Sequence, residues 1–214
     1  MLLLDDPLLR RVYDAAKAAT PANDPAHDWL HVVRVATTGQ HLARAEGADP
    51  QRVCAAAFCH ELFNHPKGHP EGPRSGAVCA DHARALLAGL GATEDLIEAV
   101  AEAIRTHPFS LGETPSTLEG KVLQDADRLD ALGAIGIARC FATAAAMGTP
   151  FYHPDDPFCV GRSPDDKRWG LDHFYRKLLR IGEAMHTPTA RALAQSRTAY
   201  LEGFVDQLRR EIAP

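Results

Sequence analysis

The sequence has almost no strand-like alternation, no apolar stretch approaching 18 residues, no Cys-x-x-Cys pair and no excess of basic residues. Each absence removes a class of protein. Without period-two patterning, a sheet-based fold has no support. Without a long apolar run, no membrane-spanning helix is expected. The N-terminus, MLLLDDPLLRR, confines its apolar run to Leu2–Leu4 before carboxylates follow, which is unlike a secretory leader, so a cytoplasmic location is expected. A formal net charge of −5 argues against general binding of nucleic-acid polymers. It leaves room for a small anionic ligand, because a few local cations can hold a phosphate whatever the overall charge. The cysteines are odd in number, and Cys54, Cys59, Cys79 and Cys140 lie in Ala-rich helical stretches. Reduced thiols acting as small apolar groups are expected there.

What is present is helix. Ala and Leu dominate, and apolar residues recur at spacings of three and four. The 214 residues suit one all-α domain, long enough to bury roughly 70% of its unfolded surface without a disulfide or structural metal. Residues 7–19 form an opening helix. Asp24-Pro25 reads as a cap followed by Pro at the first helical position, starting a helix that runs to about Ala45 and is closed by Gly47. Asp49-Pro50 caps the next helix, through roughly Phe63. Residues 64–75 (NHPKGHPEGPRS) form a Pro- and Gly-rich loop. Helices follow at about 76–89, 93–106 and 116–127, and a small-residue helix at 131–147 suits a tightly packed core. A second long loop, 148–166, precedes two last helices at about 167–185 and 188–212. Loops of this length in a compact domain often carry function.

Histidines and carboxylates collect at three separated helical places. His27 and His31 are four apart, on one helix face. His60-Glu61 ends an apolar helix (VCAAAFCHEL), and Asp125, Asp127 and Asp130 end VLQDADRLDAL. A helix that is apolar for three turns and then shows His-Glu carries polar groups from the core to a cleft. A buried carboxylate is costly unless paired or metal-bound. Imidazole with carboxylate suits Mn, Fe, Co, Ni or Zn, and further oxygen ligands favour Mn or Mg. Ligands from different helices leave positions open for water and substrate.

In this order, His31, then His60-Glu61, then Asp127, the chain resembles the H…HD…D signature of the HD phosphohydrolase superfamily. More narrowly, HDWLHVVRV, NHPKGHP, EGKVLQDADRLDALGAIGIAR, DPF and DDKRWGLDHFYRKLL resemble a subfamily of small bacterial HD hydrolases, from about residue 23 to 210. The resemblance implies a single HD-type helical domain with its core at about 23–147 and the helices of 167–212 packed on it. It implies a divalent metal ion held by His31, His60, Glu61 and Asp127, with Glu61 standing where the family has Asp. It also implies hydrolysis of a phosphate ester or anhydride of a nucleotide. Cleavage of a triphosphate between its α and β phosphorus is the first expectation, and of a monophosphate the second.

Glu61 and His107 are candidates to manage the proton. Lys67, His69, Arg74, Ser75 and Lys167 are candidates to bind the phosphate, with Lys121, Arg128, Arg168 and Lys177 more distant. His27, Asp28, Asp125 and Asp130 are expected to support the ligands. His41, His82 and His186 read as structural or solvated. The partner expected is a small nucleotide or another phosphate, with a homodimer left open. Because the doublet is His-Glu, a catalytically degenerate nucleotide-binding protein is the alternative. A metal-dependent oxygenase on the same frame would need more His ligands than the sequence offers.

Overall fold

The computed structural model describes residues 2–20, 28–66, 69–108 and 111–212. Among these, every regular element is helical. The chain forms two compact units, residues 1–127 and 128–214.

The first unit contains α1 (Pro7–Ala19), α2 (Trp29–Glu46), α3 (Pro50–Cys59), α4 (Ser75–Gly89), α5 (Glu94–Thr106) and most of α6 (Leu118–Asp130). Local chemistry starts these helices. Asp6 accepts from the Leu8 and Leu9 N–H groups, Asp49 from Gln51 and Arg52, and Thr93 from Leu96. Each satisfies donors that have no partner inside the helix. Pro7 and Pro50 follow their caps, where a missing N–H costs nothing. Gly47 ends α2 in the left-handed conformation, at φ 79°.

Helix α3 is the centre of this unit. Every residue from Val53 to Cys59 is buried, and α1, α2 and α5 all pack against it. Burying a side chain such as Phe58 or Val53 contributes about 2 kcal/mol each. Gly39 sets how closely α2 approaches: a Cβ there would lie 2.9 Å from Val53 Cγ1 and 3.6 Å from the Ala126 Cβ. An alanine there would press on Val53 of α3, while its contact with Ala126 of α6 would be ordinary.

The second unit contains the end of α6, then α7 (Gly133–Ala146), a long loop, an irregular helix and α9 (Pro188–Ile212). Phe141, Phe151, Phe174 and Phe204 pack ring to ring, with centroids 4.3–6.1 Å apart. The expected 148–166 loop is present and is organised by its own polar groups. Asp156 accepts from the Val160 and Gly161 N–H groups, and Arg162 donates to the Asp156 carbonyl and to Asp172.

Several boundaries differ from the sequence-based expectation. The Asp24-Pro25 start lies outside the described residues, and the described helix begins at Trp29 under an Asp28 cap. Helix α3 stops at Cys59 rather than near Phe63. Its last carbonyls are taken from outside the helix: the His60 ring binds Ala57, and the Cys79 thiol donates to the Cys59 and His60 carbonyls. Helix α6 runs on to Asp130. The expected 167–185 helix is replaced by turns and a short irregular helix with a π turn at Phe174–Leu178, α8 (Leu179–Ile181) and a 3-10 turn at Gly182–Ala184. The Gly170 and Leu171 N–H groups donate to the Pro150 and Phe151 carbonyls, so they cannot serve a helix there.

Candidate metal centre

Three helices bring the expected histidines and carboxylate together within the first unit. The Asp28 carboxylate accepts from the His31 N–H at 2.9 Å, which fixes the first turn of α2 and starts His31 inward. His31 is completely buried. His60, at the C-cap of α3, and Asp127, near the end of α6, meet it. One ligand atom from each of His31, His60 and Asp127 lies within 4.8 Å of the others. His31 Nε2 is 3.2 Å from His60 Nε2 and 3.5 Å from Asp127 Oδ1. Glu61, in the turn after α3, places Oε1 3.7 Å from His31 Nε2 and 4.0 Å from His60 Nε2. It reaches the same imidazoles but stands outside the compact triad.

The His60 ring is oriented by its other nitrogen. Nδ1 is 2.7 Å from the Ala57 carbonyl, which can only accept, so the proton sits on Nδ1 and Nε2 carries the lone pair. Burial, then the neighbouring imidazoles of His31 and His107, push the His60 pKa down to about 3. His60 is therefore neutral at ordinary pH, the form a metal ligand needs. A lone pair aimed at a second imidazole nitrogen, with carboxylate oxygens alongside, is a mixed N/O donor set that fits a divalent cation.

His107 repeats the His60 arrangement. It caps α5 as His60 caps α3, and its Nδ1 donates to the Ile104 carbonyl at 2.6 Å. Nε2 is left as an acceptor. Its ring meets the His60 ring edge to face, with centroids 5.4 Å apart. Burial holds its pKa below the usual imidazole value, opposed by the charge of Asp127.

The remaining expected residues divide. His27 and Lys67 lie outside the described residues. Asp125 is buried on α6. Asp130 is engaged by Arg139 at 2.7 Å, in the second unit. Ser75 does begin α4, but its Oγ accepts from the His65 N–H at 3.1 Å and so fastens the loop. His69 stacks on His65, with centroids 4.6 Å apart, and accepts from the Glu71 N–H. Arg74 is exposed and donates to Glu71 at 2.8 Å. Lys167 is exposed in the second unit, its N–H donating to Asp165.

Two residues near the centre escaped the sequence reading. Cys79 donates to the His60 carbonyl at 3.2 Å, and burial pushes its thiol up to about 12, so it stays a donor. Gln124 donates to the carbonyls of Thr106, His107 and Glu113. Its position three before Asp127, on the same helix face, was the available signal.

Residues 29–132 match the HD domain family. The uncharacterized protein YpgQ of Bacillus subtilis is 35% identical over 190 residues, spanning 87% of this chain and 84% of that one. The crystal structure of Bacillus subtilis YpgQ in complex with ADP superposes with a TM-score of 0.74 at 32% identity, covering 96% of this chain and 97% of that one. An HD-superfamily hydrolase from Bacillus thuringiensis superposes with a TM-score of 0.72 at 30% identity, covering 95% of each chain.

Proposed function

We propose that this chain, which belongs to the HD-domain family, is a metal-dependent phosphohydrolase acting on nucleotides, with cleavage of a nucleoside triphosphate to its monophosphate and pyrophosphate the favoured reaction. The observation that carries this reading is the convergence of His31, His60 and Asp127 within 4.8 Å, with the His60 lone pair directed at the cluster. His31, His60 and Asp127, with Glu61 at the rim, would hold a divalent ion, for which Mn, Mg, Co, Ni, Fe and Zn are all candidates. Such an ion supplies Lewis-acid polarisation of a phosphoryl oxygen and acidification of water.

The chain's own groups do the rest. Burial of His31 and His60 keeps water from competing with their hydrogen-bonding geometry. His107 Nε2 accepts the proton of the attacking water, because its Nδ1 is committed to Ile104. Glu61 is the second acceptor. His69 and Arg74, on the segment fastened by the His65 N–H to Ser75, are the candidates to bind the phosphates, with Lys67 the sequence's further candidate. That YpgQ was solved with ADP supports a nucleotide rather than another phosphate as the ligand.

The test is release of phosphate or pyrophosphate from a panel of nucleoside mono- and triphosphates, with Mn, Mg, Co and Ni in turn and a chelator control. Chelator-sensitive pyrophosphate release supports the favoured reaction, and phosphate release from monophosphates supports the second. A nucleotide-binding protein without turnover is the alternative, favoured by the placement of Glu61 outside the triad. Nucleotide binding with no release under any metal would establish that alternative.

A further inference from the structure

We propose that Gln124 is a positioning residue that sets His107 against the His31–His60–Asp127 cluster. This rests on the reading of His107 as the proton acceptor.

Gln124 is fully buried on α6. Its Nε2 donates to the Thr106 carbonyl at 3.0 Å, the Glu113 carbonyl at 3.1 Å and, more weakly, the His107 carbonyl at 3.4 Å. These acceptors come from the end of α5 and the segment after it. The last carbonyls of a helix have no donors within it, and a buried carbonyl without a donor is costly. Here one amide from a neighbouring helix serves them. The amide stands one turn before Asp127 on the same face of α6. The segment bearing His107 is thereby registered to the helix bearing Asp127.

His107 is held at two points. Gln124 engages its carbonyl, and the Ile104 carbonyl engages its ring Nδ1. Only Nε2 remains to face the cluster, with the ring edge to face against His60. The chemistry of the clamp calls for an amide. Met has a similar length but no donor, a carboxylate would repel the three carbonyl oxygens, and Asn keeps the donor but withdraws it by one methylene. Displacements on the order of 1 Å at a reacting group can reduce turnover about 100-fold.

The experiment compares Gln124→Met and Gln124→Asn in the wild-type and His107→Ala backgrounds. It measures kcat and KM for the best nucleotide, the Kd for Mn alone, and the ring-nitrogen NMR signals of His107. In Gln124→Met, kcat should fall about 10- to 100-fold, with KM and the Mn Kd unchanged and the His107 ring-nitrogen signals shifted as the segment moves. Gln124→Asn should fall between Met and wild type. In the His107→Ala background, Gln124→Met should add almost nothing, as expected for residues that act as a unit. Equal fold-losses in both backgrounds, or a loss of Mn affinity matching the loss of kcat, would overturn the proposal. If the protein hydrolyses no nucleotide, the functional reading fails while the NMR arm still decides the positioning. Unchanged His107 ring signals in Gln124→Met would then refute it. If Gln124→Met does not fold, the Asn variant carries the same comparison.

Discussion

His60 Nδ1 donates to the Ala57 carbonyl at 2.7 Å, and this hydrogen bond turns His60 Nε2 toward His31 Nε2, 3.2 Å away. The acceptor belongs to the same helix three residues earlier, so ring orientation follows from where α3 stops. Had the helix continued to Phe63, the Ala57 carbonyl would have been taken by the backbone N–H of Glu61 and the ring released.

Removing a triad member should separate metal binding from folding. In His31→Ala or Asp127→Ala, Mn affinity and turnover should fall about 100-fold or more, since even groups behind the ligands are worth about 10–100-fold. The helical CD signal should persist, more fully in Asp127→Ala because Asp127 is partly exposed and His31 is not. Isothermal titration with Mn and nucleotide assays give the answer. Undiminished metal affinity in both variants would refute the assigned centre.

Glu61→Asp tests the departure from the family doublet. Glu61 Oε1 lies 3.7 and 4.0 Å from the two imidazoles, so a carboxylate retained at this position keeps the charge while its reach shortens by one methylene. Activity should be kept or raised, and Glu61→Gln should lose it, measured as kcat over a metal titration. A variant with Asp that is as inactive as Gln would show that reach, and not charge, governs the site.

Gly76→Ala should disturb the centre from a distance. A Cβ at Gly76 would sit 2.6 Å from the Arg105 carbonyl oxygen and 3.0 Å from Pro108 Cγ, so the start of α4 or the end of α5 must shift. His107 lies between those two contacts. The expected cost is about 1–3 kcal/mol in urea unfolding, with kcat lowered more than Mn affinity. Unaltered stability would mean that the α4–α5 junction yields freely.

Acid should weaken the second unit through one pair. Asp172 is buried, which by itself raises its carboxyl pKa; hydrogen bonds from Arg162 and the Asp165 N–H, with the Arg162 charge, outweigh this and hold it below the usual carboxylate range. A depressed folded-state value contributes stability above the unfolded value and loses it as pH falls. Stability should therefore decline from about pH 4 downward, followed as Tm against pH. Asp172→Asn should cost about 3 kcal/mol at neutral pH and flatten that decline. A decline identical to wild type would place its source elsewhere.

The sequence by itself determined the helical class, the Asp49 and Gly47 caps and the order in which the chemistry-bearing residues occur. These are local properties: Asp49-Pro50 and Gly47 act on their own backbone neighbours, and the periodicity of Ala and Leu needs no partner to be read. The order His31, His60-Glu61, Asp127 likewise sufficed to mark the family. Tertiary structure decided the rest. The end of α3 depends on a thiol from α4, and the fate of residues 170–171 on carbonyls twenty residues earlier. Gly39 brings α2 against Val53 and Ala126 only once three helices are packed. Which side chains lie behind the site, Gln124 on α5's carbonyls and Cys79 on α3's, is set by acceptors distant in sequence, and no local pattern encodes a partner that folding alone brings within hydrogen-bond distance.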